Sequence, residues 1–387
     1  MMMNVSDKIK YVGVDDLDID LFESQYVVPE GMSYNSYVIL DEKTAVMDTV
    51  DARKTDEWIN NVKAALGGKN LDYIVCLHME PDHAGSMMKA METFPTAKVV
   101  GNAKTFTYMA QFFDVNLEGR KVEVKDGESL SLGEHNLTFV CAPMVHWPEV
   151  MVAYESSEKV LFAADAFGKF GAISKYDGDW ACEARRYYFN ICGKYGVQVQ
   201  SLLKKAAALD IKTIAPLHGP VLKENLGYYI DLYNTWSSYG VESEGVLVAF
   251  ASIHGNTRKA AEKIASILEK QGAKKVVVSD LSRDDEAEVI EDAFRYGRMI
   301  IAAPTYDGGL FPPMESFLSH LKSKNYQKRT VGIIENGTWA PMSGKLMKAA
   351  LESMKEIKIC DTVVTIKSAL KAEQEDSLVA LAKEVLA

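Results

Sequence analysis

Beyond residue 245 the chain alternates strictly between apolar strand and helical pattern, and that alternation leaves few folds open. "VLVAFA" (246–251), "KKVVVSD" (274–280), "RMIIAA" (298–303), "RTVGII" (329–334) and "DTVVTI" (361–366) read as five strands, each followed by a helical segment. Such βα repetition builds a parallel sheet covered by helices. Five units in about 140 residues predict a doubly wound domain.

The preceding ~240 residues follow another pattern. Short strands are expected at 36–40, 45–48, 72–77, 97–101, 137–141, 151–155, 159–164 and 212–216, with a helix over 54–66 where Trp58, Ile59, Val62, Ala65 and Leu66 share one face. Segments 36–40 and 45–48, joined by "DEK", form a predicted hairpin, so this half is a mixed rather than parallel sheet architecture. The polar stretch "NTWSSYGVESEG" (234–245) separates the halves, giving expected domains 1–242 and 246–387.

With 387 residues, 48% of them hydrophobic, the chain can bury a large core. A net charge of −11 and no basic cluster argue against nucleic-acid binding. No apolar run approaches the ~20 residues of a membrane span, and the N-terminal segment lacks a signal-peptide core, so a cytoplasmic location is expected. The five cysteines are scattered without a C-x-x-C pair, which suggests neither a disulfide framework nor a cysteine-bound metal. Electrons for a redox reaction would come from an external donor.

The densest chemistry lies in "LHMEPDHAGS" (77–86), where His78, Glu80, Asp82 and His83 follow the strand 72–77. His146, Asp165 and His218 occupy the same kind of position after strands 137–141, 159–164 and 212–216. Buried ionisable groups are costly unless paired, so a convergence of strand ends bearing imidazoles and carboxylates points to a metal site. Imidazole and carboxylate without thiolate suit iron, manganese or zinc. Seven donors exceed the needs of one ion, which favours two metals bridged by a carboxylate, with Asp165 as the expected bridge. His135, in "GEHN", and His320, on a predicted helix, read as solvated side chains.

In the second half, Ser252, Ile253, His254, Gly255, Asn256 and Thr257 run from the first strand into a helix. Hydroxyls, a glycine and helix N-terminal N–H groups there make a phosphate pocket. The G-x-x-x-x-G-K-[ST] spacing of a nucleotide-triphosphate loop is missing. After the third strand come Pro304, Thr305, Tyr306, Asp307, Gly308 and Gly309, and after the fourth Asn336, Gly337, Thr338, Trp339 and Ala340. Two glycine-bearing, aromatic loops at carboxyl strand ends suit a flat ring, and FMN is preferred over a dinucleotide because no G-x-G-x-x-G follows a strand.

Together, His78-x-Glu80-x-Asp82-His83, His146, Asp165 and His218, followed by an S-x-x-G-N-T loop, resemble the flavodiiron proteins, or A-type flavoproteins, over nearly the whole chain. The resemblance implies a metallo-β-lactamase-like αββα sandwich followed by a flavodoxin-like domain. Glu80 stands where hydrolases of that superfamily carry histidine. One iron would be held by His78, Glu80 and His146 and the other by Asp82 and His218, with Asp165 bridging; His83 ligates the second iron in some members and not in others. The implied activity is reduction of dioxygen to water or of nitric oxide to nitrous oxide, with FMN relaying electrons to the diiron centre from a donor such as rubredoxin or a reduced deazaflavin.

The family arrangement further implies a head-to-tail homodimer in which each FMN lies beside the partner's metals; Trp147, next to His146, would either cover that flavin or be an ordinary core tryptophan. Two other readings carry different signatures: a zinc hydrolase fused to a flavin domain, which leaves Glu80 and the flavin without a role, and a non-enzymatic electron carrier, which leaves the donor set without one.

Overall fold

Short apolar segments in the first half pair into two sheets. The computed structural model describes residues 4–387. The first sheet contains β1 (Ile9–Tyr11), β2 (Tyr37–Ile39), β3 (Ala45–Met47), β4 (Tyr73–Val75), β5 (Lys98–Gly101) and β6 (Lys121–Glu123), in that spatial order. β1–β2–β3 are antiparallel, while β3–β4–β5–β6 are parallel. The second sheet runs β7 (Ser129–Ser131), β8 (Asn136–Cys141), β9 (Met151–Glu155), β10 (Val160–Phe162) and β11 (Thr213–Ala215), antiparallel except for the final parallel pair.

Patterning explains their places. β2 and β3 are buried at every position, as central strands must be, while β8 buries Leu137 and Phe139 and turns the alternate residues outward. The sheets meet through Tyr37 and Phe162, whose rings lie 5.5 Å apart, and through the Tyr37 hydroxyl, which donates to the Pro216 carbonyl at 2.9 Å. Helix Thr55–Leu66 buries Trp58, Ile59, Val62 and Leu66 and stops at Gly67, whose φ of 57° lets its N–H return to the Lys63 carbonyl. This is a metallo-β-lactamase-like domain. Two small ladders, Val14–Asp16 with Met32–Tyr34 and Leu21–Phe22 with Tyr26–Val27, were not legible beforehand, since each strand has only two or three residues.

The second half forms one parallel sheet from β12 (Ser243–Phe250), β13 (Val276–Asp280), β14 (Tyr296–Tyr306), β15 (Gln327–Asn336) and β16 (Lys355–Ile366). Its order, β13-β12-β14-β15-β16, is the flavodoxin-like arrangement with a crevice where the winding reverses. Val248, Ile300 and Ile334 pack with Ile264, Leu268 and Leu381 of the covering helices.

By packing, the chain divides into one unit ending at Tyr188 and including Tyr195–Asn234, and another comprising Phe189–Lys194 and Thr235–Ala387. The short segment joins the second unit because Phe189 stacks on Phe294 at 4.2 Å and the Asn190 amide donates to the Ala287 carbonyl. No described helix is long and apolar enough to cross a membrane.

Candidate functional site

The loops leaving β4, β8, β10 and β11 bring the seven expected donors of the first unit together. His78 lies three residues beyond β4, and Glu80 caps the short helix Pro81–Ala84, which carries Asp82 and His83. His146 lies in the β8–β9 loop, Asp165 follows β10 and His218 follows β11. All are buried except Glu80, which is partly so.

The donors form two groups, His78–Glu80–His146–Asp165 and Asp82–His83–His218, each with its donor atoms within 4.8 Å of one another. Nε2 of His146 is 2.9 Å from Glu80 Oε2, and Nε2 of His78 is 3.2 Å from the same oxygen. Asp165 divides between the groups. Its Oδ2 is 3.2 Å from Nε2 of both His78 and His146, while its Oδ1 is 3.0 Å from Nε2 of His83 and 3.6 Å from that of His218. Asp82 Oδ2 is 3.2 Å from Nε2 of His83 and of His218. His83 therefore faces into the second group.

Both oxygens of Asp82 and Asp165, and Nε2 of His83, His146 and His218, are buried without a hydrogen-bond partner. Unsatisfied buried acceptors converging in this way fit the cavity of a cation rather than a hydrogen-bonded core. The electrostatics agree. Burial alone would lower His78 and His146, yet the Asp165 carboxylate with Glu149 and Glu80 holds His78 well above its usual range, and Asp165 with Glu80 raises His146 to about 9. Burial would raise Asp165, but the surrounding histidines hold it well below the ordinary carboxylate range. The carboxylates thus balance protons that a divalent metal would displace.

Partners outside the expected set orient these donors. Glu149 Oε1 accepts from His78 Nδ1 at 2.7 Å and from the Met79 N–H at 2.9 Å. His218 Nδ1 donates to the Ser33 carbonyl at 2.7 Å. Asp48, in the left-handed region at φ 55°, accepts from the Leu77 and His78 N–H groups at 2.7 and 3.3 Å, and burial raises its carboxyl to about 7. Glu149 was open to recognition as the carboxylate three residues after His146. Nothing in the sequence marked Ser33, whose carbonyl holds His218 and whose hydroxyl accepts from the adjoining Gly219 N–H at 2.7 Å.

Trp147 is half-buried rather than a core residue. Its ring meets the His78 ring edge-on at 5.4 Å and stacks on Phe112, with Tyr108 alongside. Tyr108, Phe112, Met144, His146, Trp147 and Tyr195 line an open cavity of about 380 Å³. His135 corrects an expectation. It is buried, not solvated, because Nδ1 bonds Asp41 at 2.9 Å and Nε2 bonds Glu158 at 3.2 Å. His320 is exposed and bonds Glu286.

In the second unit the carboxyl ends of β12, β14 and β15 enclose a cavity of about 500 Å³. Ser252, Ile253, His254, Asn256, Thr257, Pro304, Thr305, Tyr306, Asp307, Gly308, Asn336, Gly337, Thr338, Trp339 and Ala340 all line it. Gly255 and Gly309 do not. Gly255 instead makes the turn: at φ 82° it precedes helix Asn256–Lys270, and its N–H donates to Ser252 Oγ at 3.0 Å. That helix has no side-chain cap, so its first-turn N–H groups suit an anion. Thr305 Oγ1 accepts from the Met342 and Ser343 N–H groups, binding the second loop to the third. Tyr306 and Trp339 are exposed at 45% and 83%, an arrangement open to a flat ring. Met342 and Ser368 also line the cavity. Ser368 was legible in principle, since it follows the fifth strand at the same edge.

Comparison with known proteins matches residues 32–219 to the ODP family beta lactamase model and residues 247–364 to a flavodoxin domain. An uncharacterized protein of Methanocaldococcus jannaschii is 30% identical, covering 83% of this chain and 82% of its own length. The nitric oxide reductase of Moorella thermoacetica is 29% identical over 99% of this chain and 98% of its own. The solved structure of rubredoxin oxygen:oxidoreductase from Desulfovibrio gigas superposes with a TM-score of 0.92 at 25% identity, covering 100% of this chain and 98% of that one. The chain belongs to the flavodiiron proteins. In a flavodiiron protein the flavodoxin domain implies a flavin, and the two donor groups of the β-lactamase-like domain are its candidate metal positions.

Proposed function

We propose that this flavodiiron protein is an FMN- and diiron-dependent oxidoreductase that reduces dioxygen to water or nitric oxide to nitrous oxide. The observation that carries the reading is Asp165, whose two oxygens each face a separate, unsatisfied group of imidazole and carboxylate donors. His78, Glu80 and His146 would hold one iron, Asp82, His83 and His218 the other, and Asp165 both. Glu80 replaces a neutral ligand with an anionic one, which favours the higher oxidation state of a redox metal. The relatives named above as nitric oxide reductase and rubredoxin oxygen:oxidoreductase support both substrates.

When bound, flavin and iron supply the electron relay and adjacent redox sites for a diatomic gas. The chain's own groups supply placement. Ser252–Thr257 would hold the flavin phosphate at the helix N-terminus, and the loops 304–309 and 336–340 would hold the ring. Trp147 and Phe112 offer an aromatic surface beside His146, suited to the flavin of a partner subunit in a head-to-tail homodimer. Electrons would enter from a separate donor such as rubredoxin or a reduced deazaflavin.

Metal and flavin analysis followed by anaerobic reduction and stopped-flow reoxidation with each gas tests the proposal. About two irons and one FMN per chain, with rapid flavin reoxidation by either gas, are expected. Zinc in place of iron, or reduced protein inert to both gases, would overturn it.

A further inference from the structure

The two donor groups have similar ligands but different supports. His78 Nδ1 bonds the Glu149 carboxylate at 2.7 Å, and both side chains are fully buried. His218 Nδ1 bonds only a neutral carbonyl, that of Ser33. His83 Nδ1 is buried with no hydrogen-bond partner. One group is therefore backed by a hydrogen-bonded carboxylate, whereas behind the other the only hydrogen bond from an Nδ1 is to a neutral carbonyl, and the buried Asp48 carboxylate acts on His83 through charge alone.

Glu149 is firmly held. Its Oε1 also accepts from the Met79 N–H, and its backbone carbonyl accepts from the Asn102 side-chain amide at 2.6 Å. Its second oxygen, Oε2, is buried without a hydrogen-bond partner, so His78 is the chief recipient of its charge. Segment 146–149 grips His78 from two directions, since Trp147 presses its ring edge-on at 5.4 Å while Glu149 takes Nδ1. The bond fixes the tautomer that leaves Nε2 facing Glu80 and Asp165.

A carboxylate behind a ligating histidine makes the imidazole more basic and a stronger donor to its metal. We infer that Glu149 is a positioning residue that makes the two metal positions electronically unequal. The iron at His78–Glu80–His146 has the lower reduction potential and is the first of the pair to be oxidised. It is also the iron on the Trp147 side, so the asymmetry gives the pair a direction. This inference rests on the proposed diiron reading and adds an order of oxidation to it.

The test is a redox titration of iron-loaded wild type and Glu149→Gln, following the mixed-valence state by electron paramagnetic resonance and the two irons by Mössbauer spectroscopy. Glutamine keeps the side chain's size and an acceptor oxygen but removes the charge. Wild type is expected to show two separate one-electron couples. In the variant the lower couple rises toward the upper, the upper stays in place, and the comproportionation constant falls about tenfold, equivalent to about 59 mV for one electron. Only one of the two Mössbauer sites should change. Glu149→Asp, which restores the charge, should recover part of the separation.

Unchanged couples in Glu149→Gln, or an equal shift of both, would overturn the inference and leave Glu149 a packing residue. If neither variant folds, wild type alone decides: a single two-electron wave, or assignment of the lower couple to the Asp82–His83–His218 iron, refutes it. Failure of the diiron reading looks different, because wild type would then hold no iron pair to titrate.

Discussion

Replacing Asp165 by Asn separates the charge of the bridge from its shape. In the metal-free chain Asp165 lies 3.0–3.2 Å from Nε2 of His78, His83 and His146, and these contacts favour the protonated rings. His146 is raised to about 9 against burial, with Asp165 and Glu80 as the raising groups, and only 8% of the residue is exposed. Moving a histidine from its ordinary ~6.5 to that value corresponds to roughly 3 kcal/mol of preference for the charged ring. Two carboxylates share it, so Asp165→Asn should remove about 1–2 kcal/mol through His146. The sign follows from linkage. A histidine whose folded pKa lies above its unfolded one contributes stability fully below the unfolded value, and that stability is lost as pH rises through the folded value. Metal-free Asp165→Asn should therefore be less stable than wild type at pH ~6. By pH ~10, above the His146 value of about 9, that ring is neutral and its contribution is lost, so the deficit of the variant should shrink. Chemical denaturation of both chelated proteins at the two pH values reads this directly. Destabilisation that is independent of pH, or that grows toward pH ~10, would refute the charge-balance reasoning.

Other expectations follow from the same contacts. Glu80→Gln removes a donor itself, so it should weaken metal binding at the His78–His146 group by more than the ~10–100-fold typical of losing an outer partner and leave the Asp82–His83–His218 group loaded, as metal-to-protein ratios would show. Gly255→Val forces a β-branched residue to φ 82°, so it should cost about 1–2 kcal/mol in thermal denaturation and weaken flavin retention on gel filtration. His135 opposes burial with hydrogen bonds to Asp41 and Glu158, which raise its pKa; His135→Gln should destabilise most below the unfolded histidine value and progressively less as pH rises through the folded one. Lys169 is 6% exposed and has no ion pair among the described residues; the Tyr176 ring lies 5.0 Å from its ammonium, and burial lowers its pKa against the opposing charges of Glu183, Asp177 and Asp179. Its folded state binds protons less readily than its unfolded state, so Lys169→Met should be neutral or stabilising, with the largest gain at low pH.

How much of this was legible depended on whether the information was local. The five strands of the second unit announced themselves because each is followed by its own helix, and the order β13-β12-β14-β15-β16 then follows from right-handed crossovers. The donors after β4, β8, β10 and β11 were legible because side chains that are expensive to bury recurred at strand ends. His135 obeyed the same rule and was misread. Its partners Asp41 and Glu158 lie 94 and 23 residues away, and no turn preference could indicate that the hairpin following β2 would reach it. The two short ladders between residues 14 and 34 escaped for a different reason: strands of two or three residues have no period to detect.

The division between the two donor groups came from the family resemblance and not from the residue pattern, and it bears most on chemistry. Sequence supplies seven donors and a reason for two metals, but assigning donors to groups requires knowing which oxygen of Asp165 faces which imidazole. That is settled by the meeting of the two sheets, where the Met151 N–H reaches the Leu77 carbonyl at 3.1 Å and places the β8–β9 loop over the exit of β4. The same contact sets Glu149 behind His78. A one-residue shift of β9 against β8 would reverse the facing of every side chain in that strand and disturb the loop at its start. Donor placement and donor support therefore depend on one register, so substitutions at buried Phe139 or Val152, on the strands that flank the His146 loop rather than in it, should disturb the His78 group before the Asp82 group.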